Sequence, residues 1–277
     1  MKAAPFDYLR PHHVSEVLKV IQQAGGQAKL LAGGQSLGPM LNLRLVRPAL
    51  LIDVSRIEAL RVIEERPDSW HFGSAVTHAR IEDANGGLHG GAMLVEVARS
   101  IAYRGVRNRG TLGGSLAHAD PAADWPLALA ALGATIIVRN VANKTRSLPA
   151  DDFMTMAYTT RLAEDEIIES VVVPKLSPSS RYGYFKFCRK TGEFPEASAA
   201  VVIDPQRRWA RIFVGAISGA PRPLPNLAEL AARQGRAAIT PEIIASALAE
   251  ADNHLDAIAQ QMHVGAVSHA LERAMAS

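Results

Sequence analysis

The sequence predicts an α+β chain in three parts, and three observations predict it. A helix-patterned segment lies between two short apolar runs near the N-terminus. Short strand-like runs then dominate the middle. Beyond a proline- and serine-rich linker, further strand-like runs give way to alanine-rich helical sequence. The parts are residues 1–56, 57–173 and 178–277, joined at the end by a linker over 174–180.

In the first part, Val14, Val17, Leu18, Ile21 and Ala24 repeat at the i, i+3, i+4, i+7 spacing of an amphipathic helix. Gly25-Gly26 ends it, since glycine takes the left-handed C-terminal position without a Cβ penalty. Lys29 to Ala32 reads as a short buried strand and Leu50 to Val54 as another, giving a small βαβ-type unit. In the middle part the strand candidates are 71–75, 135–138 and 167–173. Residues 81–102 read as partly helical, and apolar, alanine-rich 122–132 reads as a buried helix. Pro174 to Ser180 packs two prolines and three serines into seven residues. After it, 183–189, 199–204 and 210–217 read as a small antiparallel sheet, followed by helices from Asn226 onward. Thr240-Pro241-Glu242 is a helix start, with threonine as N-cap, proline at the first position and an acid in the first turn. Ile243, Ala247, Leu248 and Ala251 share one face of that helix.

The chain has 277 residues, 48% hydrophobic and 21% charged, with a net charge of +3 and a sequence pI near 9.1. The basic excess is small and spread along the chain, which is a poor nucleic-acid signal. Its densest stretch is Arg104, Arg107 and Arg109, readable as a phosphate- or partner-facing patch or as a solvated arginine face. The one cysteine, Cys188, excludes an internal disulfide and any cysteine-built zinc or iron–sulfur site, and reads as a buried, inert thiol. The start lacks an apolar signal core and no run of 18 apolar residues occurs, so a cytoplasmic chain without a transmembrane segment is expected.

Two glycine-rich loops about 80 residues apart carry the chemistry. The first is Ala32-Gly33-Gly34-Gln35-Ser36-Leu37. The second runs from Arg109-Gly110-Thr111-Leu112-Gly113-Gly114-Ser115 to His118-Ala119-Asp120-Pro121-Ala122-Ala123-Asp124. Adjacent glycines let a ligand approach the backbone, and successive N–H groups in such a turn form an anion-binding concavity. Two such loops can hold one pyrophosphate between them; either alone reads first as a tight turn. Neither is the G-x-G-x-x-G fingerprint nor the G-x-x-x-x-G-K-[ST] phosphate loop, so a Rossmann NAD site and an ATP site are both disfavoured.

Arg107-Asn108-Arg109-Gly110-Thr111-Leu112-Gly113-Gly114-Ser115-Leu116-Ala117-His118-Ala119-Asp120-Pro121-Ala122-Ala123-Asp124 closely resembles the FAD-binding medium subunit of the molybdenum hydroxylases, typified by aerobic carbon monoxide dehydrogenase and the flavin domain of xanthine dehydrogenase. Ala32 to Leu37 matches that family's first FAD loop, and Arg189-Lys190-Thr191-Gly192-Glu193-Phe194 a third segment. Order, spacing and length extend the resemblance over essentially the whole chain. It implies a two-subdomain FAD-binding fold of the vanillyl-alcohol-oxidase / p-cresol-methylhydroxylase type, then a C-terminal domain with a three-stranded antiparallel sheet and a helical bundle. It implies FAD as cofactor. The implied partners are a molybdopterin-binding large subunit and a small subunit with two [2Fe-2S] clusters, assembled as a dimer of heterotrimers, with an external electron acceptor. No cysteine-rich insert for a [4Fe-4S] cluster is present, against the benzoyl-CoA-reductase-like branch.

By the resemblance, the backbones of Gly33, Gly34, Gln35, Ser36 and Leu37, beside Ala32, wrap the pyrophosphate from one side. Thr111, Gly113, Gly114 and Ser115 close it from the other. Asp124 matches an acid that binds ribityl or ribose hydroxyls, and reads equally as a helix-start acid. His118 and Asp120 form an H-x-D pair without a third ligand at a useful spacing, so FAD contact is favoured over metal. Lys186 would place a cation near the flavin N1–C2 edge, or is an exposed strand lysine. Phe194 stands where relatives carry an aromatic near the isoalloxazine, several of them tyrosine, or is ordinary core. Leu162 would pack on the flavin or the adenine.

These readings give an electron-transfer flavoprotein subunit of a molybdenum hydroxylase, which needs no acid–base pair of its own because the redox chemistry is the cofactor's. A self-contained flavin oxidoreductase, such as a peptidoglycan-precursor reductase, would need its own proton donor, and no defensible serine–glutamate pair is present. A basic nucleotide-binding module without redox activity would bind nucleic acid with strong salt dependence and carry no yellow chromophore.

Overall fold

The parallel pairing of its first three strands places the first glycine loop. The computed structural model describes residues 2–84, 86–207, 209–235 and 238–275. Strand β1 (Asp7–Leu9), helix α1 (Val14–Ala24), strand β2 (Ala28–Leu31), helix α2 (Leu37–Asn42) and strand β3 (Leu50–Asp53) form the first unit. Its sheet has the order β1-β3-β2, with both neighbours parallel to β3. The amphipathic face of α1 buries Val17 and Leu18 against Ile52, Val54 and Ile57. Glu16 Oε2 accepts from the N–H groups of His12 (2.8 Å) and His13 (3.4 Å) at the helix start, and Gly25 ends it at φ 55. β2 stops one residue short of Ala32, so the first glycine loop begins at the carboxyl end of a parallel strand and runs into α2. Ligands sit at such strand ends in open parallel sheets.

A short 3₁₀ turn (Glu58–Arg61) leads to β4 (Ile63–Glu65) and β5 (Ser69–Gly73). Helices α3 (His78–Glu82), α4 (Ala92–Ser100), α5 (Arg104–Arg107), α6 (Leu112–His118) and α7 (Asp124–Leu132) follow. Then come β6 (Thr135–Asn140), β7 (Thr145–Pro149), α8 (Ala150–Phe153), the small pair β8 (Met154–Met156) and β9 (Thr159–Thr160), and β10 (Glu166–Pro174). The sheet order is β4-β5-β10-β6-β7, antiparallel throughout. The sequence shows β5, β6 and β10; β4 and β7 are edge strands rich in charged and polar residues and escape an apolar pattern.

The last sheet is β11 (Arg181–Phe187), β12 (Ala197–Asp204), β13 (Trp209–Gly215) and β14 (Arg222–Pro223). It therefore has four strands rather than the expected three. The fourth is a two-residue edge that pairs Pro223 with Phe213 and carries no alternation. α9 (Pro225–Gln234), α10 (Pro241–Ala251) and α11 (Ala257–Met275) complete the chain. Thr240 caps α10, its hydroxyl accepting from the N–H of Ile243 at 3.4 Å.

β12 is buried on both faces. Ala200 and Val202 join a core with α7, while Ala199 and Val201 join one with α9, α10 and α11, as period-two alternation requires. All nine residues of α7 are buried because the helix lies between the middle and C-terminal sheets, which explains its all-round apolarity. Helix α11 lies so close to β11 that a Cβ on Gly183 would stand 1.9 Å from the carbonyl oxygen of Ala270.

Candidate functional site: a two-loop cradle and its charged wall

The two glycine loops meet. A Cβ on Gly33 would lie 2.2 Å from the Arg109 carbonyl oxygen and 2.7 Å from Gly110 Cα, so only glycine allows this backbone crossing. A Cβ on Gly114 would lie 3.7 Å from the Ala32 side chain. Gly34 is left-handed at φ 72 and turns the first loop into α2.

The loops present different chemistry. Among the described residues, no protein group accepts from the backbone N–H of Gly33, Gly34, Gln35, Ser36 or Leu37. Five consecutive amides thus remain open, a donor set suited to an anion. In the second loop most amides are already bonded. Leu112 donates to Val76 O (3.0 Å), Gly113 to Ser74 O (2.8 Å) and Ser115 to Thr111 O (3.0 Å). Gly114 donates to the hydroxyl of Thr111, the buried N-cap of α6, at 3.1 Å. Gly113 is glycine because a Cβ would stand 2.5 Å from that of Ser74. The second loop therefore offers close backbone surface and the hydroxyl of Ser115 rather than a second set of amides.

Beneath it lies His78, a residue with no sequence signal. Its N–H donates to Gly110 O at 3.0 Å, and its Nδ1 accepts from the indole N–H of Trp125 at 3.0 Å. Burial, and then the nearby Arg107 charge, pull its pKa down to about 4. An unfolded histidine titrates near 6.5. Between about pH 6.5 and about pH 4 the unfolded chain therefore holds a proton that the folded chain lacks. The stability tied to His78 is complete above that window and is lost as pH falls through it. A depression of this size is worth about 3 kcal/mol. The melting temperature of the wild type should fall more steeply across the window than that of His78→Gln; parallel curves would show that another group is responsible.

Asp124 opens α7 and is buried. Its Oδ1 accepts from Tyr184 Oη at 2.6 Å and from Lys186 Nζ at 2.9 Å, while Oδ2 has no protein partner among the described residues. Lys186 is not the exposed strand lysine of one sequence reading: its side chain is 11% exposed and paired. Burial and the Asp124 charge push the Tyr184 phenol well above its ordinary range. Asp124 and Lys186, 62 positions apart, form one charged wall between α7 and β11.

Phe194 is 66% exposed in the loop after β11, which corrects its reading as core. Cys188, at the base of that loop, is half-buried rather than buried, and burial raises its thiol pKa. Arg104 and Arg107 are not a free basic patch. Both pair with Glu82, and Arg104 also with Asp83; Arg109 is exposed beside Gly33. His118 packs at a tilt against Tyr158, with ring centroids 5.3 Å apart, and Asp120 accepts from the N–H of Ala122 at 2.9 Å. Leu162 packs against the middle core. Ala119, Tyr158 and Ala216 are all left-handed non-glycine residues around this stretch. Two of them are tied to it: Tyr158 N–H donates to Ala119 O and Ala216 N–H to Pro121 O. Such strain costs roughly 1–3 kcal/mol per residue and concentrates at functional sites. Among the described residues no group of three or more His, Cys, Asp or Glu could hold a metal ion, and no helix is long and apolar enough to cross a membrane.

A family model described as the FAD binding domain in molybdopterin dehydrogenase matches residues 4–176. The chain is 37% identical over 229 residues to the nicotine 6-hydroxylase medium subunit of Paenarthrobacter nicotinovorans, covering 82% of this chain and 80% of that one. It is 33% identical over 224 residues to caffeine dehydrogenase subunit beta of a Pseudomonas species, covering 80% and 76%. A solved carbon monoxide dehydrogenase from Hydrogenophaga pseudoflava superposes with a TM-score of 0.90 at 32% identity, over 100% of this chain and 99% of that one. The cradle, with its open amides and forced glycines, fits the phosphates of a dinucleotide, and the chain belongs to the family of FAD-binding subunits of molybdopterin dehydrogenases.

Proposed function

We propose that this chain, the FAD-carrying medium subunit of a molybdenum hydroxylase complex, transfers electrons from the [2Fe-2S] clusters of a small subunit to an external acceptor. In this reading a large molybdopterin subunit oxidises the substrate, and the assembly is a dimer of heterotrimers in the cytoplasm. The carrying observation is the row of five open amides from Gly33 to Leu37, held against the second loop. FAD, when bound, supplies the electron exchange.

The protein's own residues bind and orient. The amides of 33–37 and the hydroxyls of Ser36 and Ser115 hold the pyrophosphate, with Ala32, Gly113 and Gly114 leaving it room and Thr111 fixing the start of α6. Asp124 offers Oδ2 to a ribityl or ribose hydroxyl while Oδ1 keeps Lys186 in place, close to the flavin. Phe194 covers the isoalloxazine. His118, Asp120 and Leu162 line the remaining cleft. The chain divides at 1–56, 57–173 and 178–277, so the cleft lies between parts rather than within one.

The experiment is division of labour. The full chain expressed alone should be yellow, bind about one FAD per chain as a single cradle implies, and contain neither iron nor molybdenum. It should show no dehydrogenase activity until the partner subunits are added, although dithionite reduces its flavin. Substrate-dependent flavin reduction by the isolated chain would overturn this reading in favour of a self-contained flavoenzyme.

A further inference from the structure

The connection between α4 and α5 is tied down more firmly than a surface turn requires. Ala102 is left-handed at φ 40, a conformation L-residues rarely adopt. The guanidinium of Arg107 closes on this turn. Its Nη1 donates to the carbonyls of Ile101 (2.9 Å) and Ala102 (2.8 Å). Its Nε and Nη2 donate to Glu82 Oε2 (2.7 Å) and Oε1 (3.1 Å). Both members of that ion pair are 12% exposed. Arg104 adds a second tie, bidentate to Asp83 at 2.7 and 2.6 Å. The turn is thus anchored to α3, and Ile101 anchors it to the middle core.

What this rigid turn presents is an aromatic ring that the fold does not bury. Tyr103 is 63% exposed. Its ring and the Ala102 carbonyl lie against Gly192, the tip of the 188–196 loop. A Cβ on Gly192 would stand 3.1 Å from Ala102 C and 3.3 Å from Tyr103 Cε1, and Gly192 is left-handed at φ 89. The loop's other ties are local: Cys188 Sγ to Glu193 O at 3.5 Å, the ion pair of Arg189 with Glu196 at 2.7 Å, and the backbone bonds of Glu193 N–H to Lys190 O (3.2 Å) and Glu196 N–H to Phe187 O (2.9 Å). Phe194 stands two residues beyond the contact. A strained, clamped turn meeting a loop tip where a side chain would crowd is how a fold fixes a segment that its own sheet leaves free.

We propose that Tyr103 is a positioning residue of the flavin site: the clamped Ile101–Arg104 turn fixes the 188–196 loop and so fixes where Phe194 stands against the isoalloxazine. The proposal rests on the placing of Phe194 given above. Tyr103→Ala, Tyr103→Phe and Gly192→Ala in the full chain, purified with its flavin, test it. Tyr103→Ala should retain flavin at wild-type stoichiometry, because the pyrophosphate loops are untouched. Its flavin absorption spectrum and midpoint potential should shift, and trypsin should cut after Arg189 or Lys190 about tenfold faster, following the larger open population of the loop. Tyr103→Phe should restore both, since the contact is made by the ring, and Gly192→Ala should reproduce Tyr103→Ala. Wild-type spectrum and potential in Tyr103→Ala would overturn the proposal, whether or not proteolysis quickens. A wild-type chain that binds no flavin would instead overturn the underlying reading of the site.

Discussion

Gly33→Ala should yield a folded chain that has lost its FAD. The added Cβ meets the carbonyl oxygen of Arg109 at 2.2 Å, and neither backbone can yield without parting the two loops. Parting them moves the open amides of Gly33 to Leu37 away from the surface of α6. Hydrogen bonds to a charged group are worth about 1.5–3 kcal/mol each, so losing two weakens binding by at least about a hundredfold. Gly38→Ala is the control. It lies in the same segment, at the start of α2, and its Cβ would meet nothing within 4 Å. Flavin content and FAD dissociation constants of the two variants, with melting curves to confirm folding, decide the matter. Full flavin occupancy in Gly33→Ala would sink the two-loop cradle.

The sequence made the cradle visible and left its internal asymmetry hidden. Adjacent glycines mark places where a Cβ is unwelcome, but not whether a ligand or the protein itself occupies the space. At Gly33 the occupant is the Arg109 backbone, at Gly113 it is Ser74, and at Gly110 it is His78. The elements with a strong apolar pattern, periodic in α1 and near-continuous in β3, β6, β10 and α7, are legible because one face or all faces must be apolar to be buried. The edge strands β4, β7 and β14 are not, since they bury little. Buried ion pairs are the least legible of all. Arg107 finds Glu82 across 25 positions and Lys186 finds Asp124 across 62, and no local pattern records either. The arginine cluster read as a patch is for that reason mostly structural cement for the turn before α5.

Asp124→Ala should damage both the fold and flavin binding, and the two effects separate. The carboxylate is 7% exposed and neutralises Lys186, itself 11% exposed, while accepting from the buried phenol of Tyr184. Removing it strands a buried cation and a buried hydroxyl, a loss of about 3–5 kcal/mol for breaking one side of a buried pair. In a chain of this size that lowers the melting temperature by roughly 10 °C. Asp124→Asn keeps an oxygen for Tyr184 and Lys186 and should recover much of that stability. If Oδ2 also holds a flavin hydroxyl, the FAD-bound form loses more than the apoprotein, because a ligand stabilises only the state it binds. FAD affinity should then fall by about 1–3 kcal/mol in Asp124→Ala. Melting curves with and without saturating FAD read both terms. An unchanged apoprotein melting temperature would refute the buried ion pair. A lowered melting temperature with an unchanged FAD dissociation constant would assign Asp124 to the wall between α7 and β11 alone, leaving the ribityl or ribose contact to another residue.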